Sequence, residues 1–534
     1  MLRSSSTERG SAMGRRLLTG MAGLVVAAAV VVVAPVASAS LSELFVDNTN
    51  SACSNAGTGT QSQPYCTIGA AIAVVQAGQT VTVVAGTYNE SVTINKSGTP
   101  GSPITLRHVG AAAIKGDRAG VTIDGQHDVS VSGFTVISTV AVSSPLIALR
   151  NSTRLAVANM GAITQATGTV GMQLTGVTDS TLTVTGSSGP FTVAGMSLDA
   201  ATTGNVIQRS SVSRGSSTGL GTGIDIAGPG NSFIGGAVSL AHGAGITIEA
   251  TAVNTVVASF SVVQNTGGGI HNAGARGTAI TNNTVNNNCG LAGIQVDGDS
   301  SGVSVQNNLL NNNGGINQTV CAGLPADGVG IGVYGNAVNG TVVDYNALDQ
   351  RVGGDHAYAW NTPLGSLAEF QQVSGQGAHD VVADSGLSVP ASLVEDSANS
   401  LAPGFQSTDR TGRPREDDPS VPNTGAGPVA YADRGADEAV GPPIAALTIS
   451  YNPLILTATL DASASRPGWL PIVSYTFDFG DGTKVTQSSP VGTHRYTSLG
   501  PHDVSATMAS ADGVSATWTQ ELTVYRAYCG PRRC

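Results

Sequence analysis

From Gly171 to Tyr334 the chain repeats one short pattern: glycine, apolar, any residue, apolar, any residue. It reads Gly171-Met172-Gln173-Leu174-Thr175, then Gly195-Met196-Ser197-Leu198-Asp199 and Gly223-Ile224-Asp225-Ile226-Ala227. It continues through Gly245-Ile246-Thr247-Ile248-Glu249, Gly269-Ile270-His271-Asn272-Ala273, Gly293-Ile294-Gln295-Val296-Asp297 and Gly330-Ile331-Gly332-Val333-Tyr334. The glycines stand 24, 28, 22, 24, 24 and 37 residues apart. A second phrase keeps the same pitch, as in Ala279-Ile280-Thr281-Asn282-Asn283 and Val303-Ser304-Val305-Gln306-Asn307. Apolar positions two apart make a strand with one buried face. Two strands and Gly/Asn turns in each repeat are too short for a βαβ unit of about 30 residues or more. The pattern therefore predicts a parallel β-solenoid, whose coils bury their apolar positions against one another. Asn283 with Asn307, and Asn288 with Asn312, are expected to stack as turn ladders. The 37-residue step, which holds Cys289 and Cys321, is expected to be a loop excursion from one coil.

An open solenoid end would template further strand addition, so a cap is needed. The segment Thr67–Gln76 has an amphipathic helical pattern, and strands are expected around Val81–Val84 and Val92–Ile94. Several stretches here resemble the opening of secreted right-handed parallel β-helix repeat proteins: Phe45-Val46-Asp47, Pro64-Tyr65-Cys66-Thr67-Ile68, Ala85-Gly86-Thr87-Tyr88-Asn89-Glu90 and Ser97-Gly98-Thr99 through Pro103-Ile104-Thr105. That pectate-lyase-like superfamily includes polysaccharide lyases. Asp409-Arg410-Thr411-Gly412-Arg413-Pro414-Arg415 and Tyr431-Ala432-Asp433-Arg434-Gly435-Ala436 resemble the closing segment of the same group. The resemblance spans about residues 43–438 and implies the fold more firmly than any activity.

After Pro442-Pro443 the glycine phrase stops. Leu460-Asp461-Ala462-Ser463-Ala464-Ser465, Tyr475-Thr476-Phe477-Asp478-Phe479-Gly480-Asp481-Gly482-Thr483 and His494-Arg495-Tyr496 resemble the PKD domain, a small immunoglobulin-like β-sandwich. Asp478 and Asp481 lack the distal Glu of an EF-hand loop and read as turn residues. Trp469 could stack on a sugar ring or sit buried in the sandwich. The expected fold class is all-β, a right-handed parallel β-helix followed by that sandwich. The expected divisions are a signal peptide at 1–39, an N-terminal cap with the first coils at 40–120 and β-helix coils at 121–350. The end of the helix domain and a linker follow at 351–440, a PKD domain at 441–528 and a Cys-containing tail at 529–534.

The first segment changes the expected address. Arg3, Arg9, Arg15 and Arg16 precede an apolar run from Leu17 to Val36, and Ala37-Ser38-Ala39 ends it. This is the form of a secretory signal, with Arg15-Arg16 suggesting the twin-arginine route. Its removal takes four Arg and one Glu from a formal charge of −11, leaving −14. No later segment is apolar enough to span a bilayer, so a secreted, extracellular protein free of membrane is expected. A monomer is expected as well. Lys96, Lys115 and Lys484 are the only lysines, which excludes the basic stripe a nucleic-acid binder needs. In an oxidising compartment, sequence-local pairing predicts disulfides Cys53–Cys66, Cys289–Cys321 and Cys529–Cys534.

The outward positions of the repeated phrase carry the candidate chemistry. Asp199, Asp225, Glu249, His271 and Asp297 should zigzag along one sheet face, each roughly 7–8 Å from the next. Carboxyl pairs about 5–9.5 Å apart suit glycoside hydrolysis. The same acids could instead hold Ca²⁺ against an acidic polysaccharide. The lyases of the resembling superfamily commonly use Lys or Arg as base; here only Arg209, Arg214, Arg276 and His271 are available in the repeat. The Asn-Thr-x-Asp phrase of polygalacturonases is missing. Catalytic candidates are therefore Asp199, Asp225, Glu249 and His271. Gln173, Gln295, Asp297, Arg276, Tyr334 and Trp469 are candidates for binding substrate. His242 and His356 stand apart from these and read as structural or surface residues. The expected function is binding of extracellular or cell-surface polysaccharide, with a polysaccharide lyase or glycoside hydrolase as the alternative.

Overall fold

The computed structural model describes residues 42–527 apart from 116–119, 214–220, 291, 315–327, 350–355, 384–388, 419–420, 440–441, 469–470 and 511–512. The proposed signal segment, Trp469, Arg214, Cys321, Cys529 and Cys534 lie outside the described residues.

Residues 42–383 wind as a parallel β-helix. One wall is a twelve-stranded sheet running from Val92–Ile94 to Thr362–Leu364, parallel except for its last pair. The other walls form one eighteen-stranded sheet. The core consists of like residues stacked coil on coil. Ile147, Met172, Met196, Ile224, Ile246, Ile270, Ile294 and Ile331 occupy successive register positions, and all are buried. Each such aliphatic side chain contributes about 1.5–3 kcal/mol on burial. The repeated glycine has a packing cause. A Cβ on Gly245 would lie 2.9 Å from the Gly269 carbonyl oxygen, and one on Gly269 would lie 2.3 Å from that of Gly293. The strands enter the sheet so close together that only hydrogen fits there.

The cap forms as its sequence pattern predicts. Ile68–Val74 is a helix whose N-cap Thr67 accepts the Ala70 amide and whose face buries Ile68, Ala71 and Ile72. At the other end, Leu367–Ser374 buries Phe370, which stacks on Tyr358 with ring centroids 4.0 Å apart. Cys53 and Cys66 are disulfide-bonded, which closes the N-terminal loop. Cys289 is also disulfide-bonded. Gln295 lies directly opposite Gly332, so the 37-residue step adds no coil, as a loop excursion requires.

The asparagine ladders differ from the expected pairing by one residue. Asn283 stacks under Asn308 and Asn288 under Asn313, each donating its side-chain amide and backbone amide to the partner's Oδ1. Asn307 instead reaches Asn282, and Asn312 reaches Asn287. The turn after Asp297 holds one residue more than the turn after Ala273, so Ala279 meets Ser304 and the second wall advances by 25. Asn282, Asn287, Asn307 and Asn312 take left-handed backbone at the corners, with φ of 54–59°.

Beyond the coils, the described residues of 396–438 run back along the solenoid without regular strands. Thr281 donates to the Pro403 carbonyl and Asn282 to that of Asp433. Residues 448–524 form an antiparallel sandwich with sheets of three and four strands. Its core holds Leu460, Phe477, Phe479, Tyr496 and Met508. Asp478 and Asp481 make turn bonds to the Gly480 and Thr483 amides and pair with Lys484 and His494, as turn residues should.

Candidate functional site

The twelve-stranded wall presents its outward positions in two columns. Gln173, Ser197, Asp225, Thr247, His271, Gln295 and Gly332 stand opposite one another in successive strands. Glu249, Ala273 and Asp297 form part of the second column, two residues along. Neighbouring strands lie about 4.8 Å apart, so the first column places a polar side chain at that interval over six coils.

The centre of the face is a hydrogen-bonded triad. His271 Nε2 lies 3.0 and 3.1 Å from the two carboxylate oxygens of Asp297. From its own strand, Gln295 Nε2 donates to Asp297 Oδ2 at 2.6 Å. The hydrogen bond from His271 holds the Asp297 carboxyl below the usual carboxylate range, with Gln295 adding to it against the opposing effect of burial. Tyr334, half-buried beside them, has its phenol pushed up by burial and then by the charge of Asp297. On the next coil Asn336 Nδ2 donates to Asp299 Oδ1 at 2.9 Å, and Asn361 Oδ1 accepts the Gly335 amide at 2.7 Å.

Asp225 and Glu249 form the second centre. Asp225 is half-buried, and burial raises its pKa, with the neighbouring Glu249 charge adding to the rise. Glu249 is exposed at its strand end. Two carboxyls of opposite tendency, Asp225 raised and Asp297 lowered, therefore share one face and flank His271.

Asp199 does not belong with them. Its strand ends at Leu198, and Asp199 Oδ1 instead accepts the Gly176 amide at 2.9 Å and the Thr202 hydroxyl at 2.7 Å. The carboxylate serves a corner, because the next residues turn toward the second wall. Arg276 also lies on a turn, exposed, with Nε donating to the Asp299 carbonyl at 3.3 Å. His242 is exposed, and His356 begins the strand His356–Trp360. Asn336, Asp299 and Asn361 were not picked out from sequence because they sit outside the glycine phrase, Asn336 in the short 3-10 helix Gly335–Asn339 and the others just past strand ends. Among the described residues no group of three or more His, Cys, Asp or Glu converges to hold a metal ion.

Residues 442–525 match the PKD domain family. Residues 52–93 match a family described as a protein of unknown function, DUF1565. The uncharacterized protein YwoF of Bacillus subtilis is 33% identical over 88 residues, which are 15% of this chain and 19% of that protein. Among solved structures, the PKD1 domain of the Vibrio cholerae metalloprotease PrtV is 28% identical, covering 16% of this chain and 99% of its own, with a TM-score of 0.15. Pectate lyase Pel9A is 15% identical, covering 74% of this chain and 96% of its own, with a TM-score of 0.40. The chain joins a parallel β-helix to a C-terminal PKD domain.

Proposed function

We propose that the protein is exported and binds an extracellular or cell-surface polysaccharide along the outer face of the twelve-stranded wall. One observation carries this reading. Gln173, Ser197, Asp225, Thr247, His271 and Gln295 make an unbroken column of hydrogen-bonding side chains over six coils. An extended ligand with regularly spaced hydroxyls matches such a column, and a compact ligand does not. The acids favour a neutral glycan, since an acidic one would meet Asp225 and Glu249 without a facing lysine.

A second reading, cleavage, is supported by the raised pKa of Asp225. Burial favours the protonated form of Asp225, the form a general acid needs, and the exposed Glu249 supplies the second carboxyl of such a pair. His271, oriented through Nε2 by Asp297, would position a sugar hydroxyl through its other ring nitrogen.

Both readings are tested with the purified protein and a panel of neutral and acidic polysaccharides. Affinity, reducing ends and unsaturated-product absorbance are followed together, with Asp225→Asn and Glu249→Gln as controls. Binding weakened by Asp297→Asn without product formation supports the first reading. Product formation abolished by the two acid variants supports the second. Absence of binding to every glycan sinks both.

A further inference from the structure

Away from the acidic face, the long strands of the other sheet turn a corner. Strand Ile104–Lys115 bulges there. Val84 faces Val109 and Gly86 faces Ala112 on one side, while Arg107 faces Ser132 and Ala112 faces Phe134 on the other. Gly110 and Ala111 therefore have no ladder partner on either side. The bulge opens a cavity of about 560 Å³, lined by Gly86, Thr87, His108, Ala111, Thr135 and Ile137 among others. That volume falls in the range of small-molecule sites, about 300–1,000 Å³.

The cavity is built around one imidazole. The His108 ring lies over Gly133, where a Cβ would come within 1.8 Å of Cδ2 and 2.0 Å of Nε2. The ring is also tilted against Phe134, with centroids 5.9 Å apart. His108 Nδ1 is buried and has no hydrogen-bond partner. Thr87 and Thr135 add two hydroxyls, Ile137 and the alanines an apolar side, and among the described residues no carboxylate, lysine or arginine lines the wall.

We infer that this cavity binds a neutral polyhydroxylated ring, a free monosaccharide or the terminal residue of a glycan. A pyranose has hydroxyls around its rim for His108, Thr87 and Thr135, and an apolar C–H face for Ile137 and the alanines. A charged ligand would find no counter-charge in the lining. This site shares no residue with the wall of Asp225 and His271, so it stands or falls separately from polysaccharide binding there.

The test is a titration of uniformly ¹⁵N-labelled protein with glucose, galactose, mannose and N-acetylglucosamine, reading the imidazole nitrogens of the eight histidines. His108→Gln assigns the His108 signals. At least one sugar should shift them saturably, and Thr87→Val/Thr135→Val, which keeps the cavity's shape, should weaken that sugar at least about tenfold. Ala111→Leu, which alters only the exposed rim, should weaken it in a chain whose other histidine signals are unchanged. If none of the four sugars moves the His108 signals, the inference is overturned. It is equally overturned if they move and the threonine variant binds as tightly as the parent. Shifts at His271 alone would speak to the acidic face and would count against the corner site.

Discussion

The hydroxyl of Tyr358 donates to Asp380 Oδ2 at 2.8 Å, and both groups are buried. The other oxygen, Oδ1, accepts the Asn346 backbone amide at 2.6 Å. Asp380 thereby ends the ladder that rises through Asn283, Asn308 and Asn346. Burial pushes its pKa up to about 7, although these hydrogen bonds and Arg434 favour the anion.

A pH-dependent stability follows. The pKa in the unfolded chain is about 3.9. With the folded value raised to about 7, the native state binds a proton that the unfolded state has lost. Stability from this group is full below about pH 4, declines as pH rises toward 7, and levels off above it. Asp380→Asn keeps the ladder acceptor and removes the charge. The variant's stability relative to the parent should rise between pH 4 and 8 by on the order of a few kcal/mol. Urea unfolding at several pH values reads this; a difference that does not change with pH would refute it.

Within the ladder, the Asn308 side chain bonds to the coils on both sides. Its Oδ1 accepts the backbone and side-chain amides of Asn283, and its Nδ2 donates to Ile280 and Gln306 carbonyls and to Asn346. Asn308→Ala leaves several buried groups unpaired, each costing about 1–3 kcal/mol. A loss of at least about 3 kcal/mol is expected, against less than about 0.5 for the exposed Asn89→Ala. Denaturant midpoints of the two variants would decide it.

The returning segment 396–438 is held by a buried ion pair. Arg415 Nη1 lies 2.7 Å from Glu438 Oε2, and both side chains are almost wholly inaccessible. Glu438 also accepts the Glu416 and Asp433 amides. Arg415→Met should cost about 3–5 kcal/mol, because it strands the carboxylate. Arg415→Met/Glu438→Leu should recover much of that. Limited proteolysis near Arg415 should rise in the single variant and fall back in the double; a single variant as resistant as the parent would show that the pair does not hold the segment.

The outward columns were legible because the glycine phrase fixes both strand and register. Once Ile270 and Asn272 point inward, His271 must face outward. The ladder pairing was misread by one because like residues 24 apart were matched, whereas the corner after Asp297 is one residue longer. Asp380, Asp433 and Glu438 were invisible as a class. In sequence they resemble surface charge; Asp380 is closed in against Tyr358 and Asn346 at the end of the coils, and Asp433 and Glu438 by the packing of the returning segment they belong to. The His108 cavity depends on a bulge whose extra residues, Gly110 and Ala111, look like an ordinary turn.

The acid face gives the last prediction. Asp225 is raised chiefly by burial and secondarily by Glu249, so Glu249→Gln should lower its pKa only in part. Asp297 is lowered first by the His271 hydrogen bond, so His271→Ala should let its pKa rise toward the ordinary carboxylate value. The two changes run in opposite directions and bring the two carboxyls closer together in acidity. Carboxyl ¹³C titration of Asp225 and Asp297 measures both shifts in the same samples. If the variants moved the two groups the same way, the neighbours named here would not be what sets them apart. If they converge as expected, Glu249→Gln should move the Asp225-linked step in the pH dependence of glycan binding to lower pH, since the proton on Asp225 would then leave at lower pH.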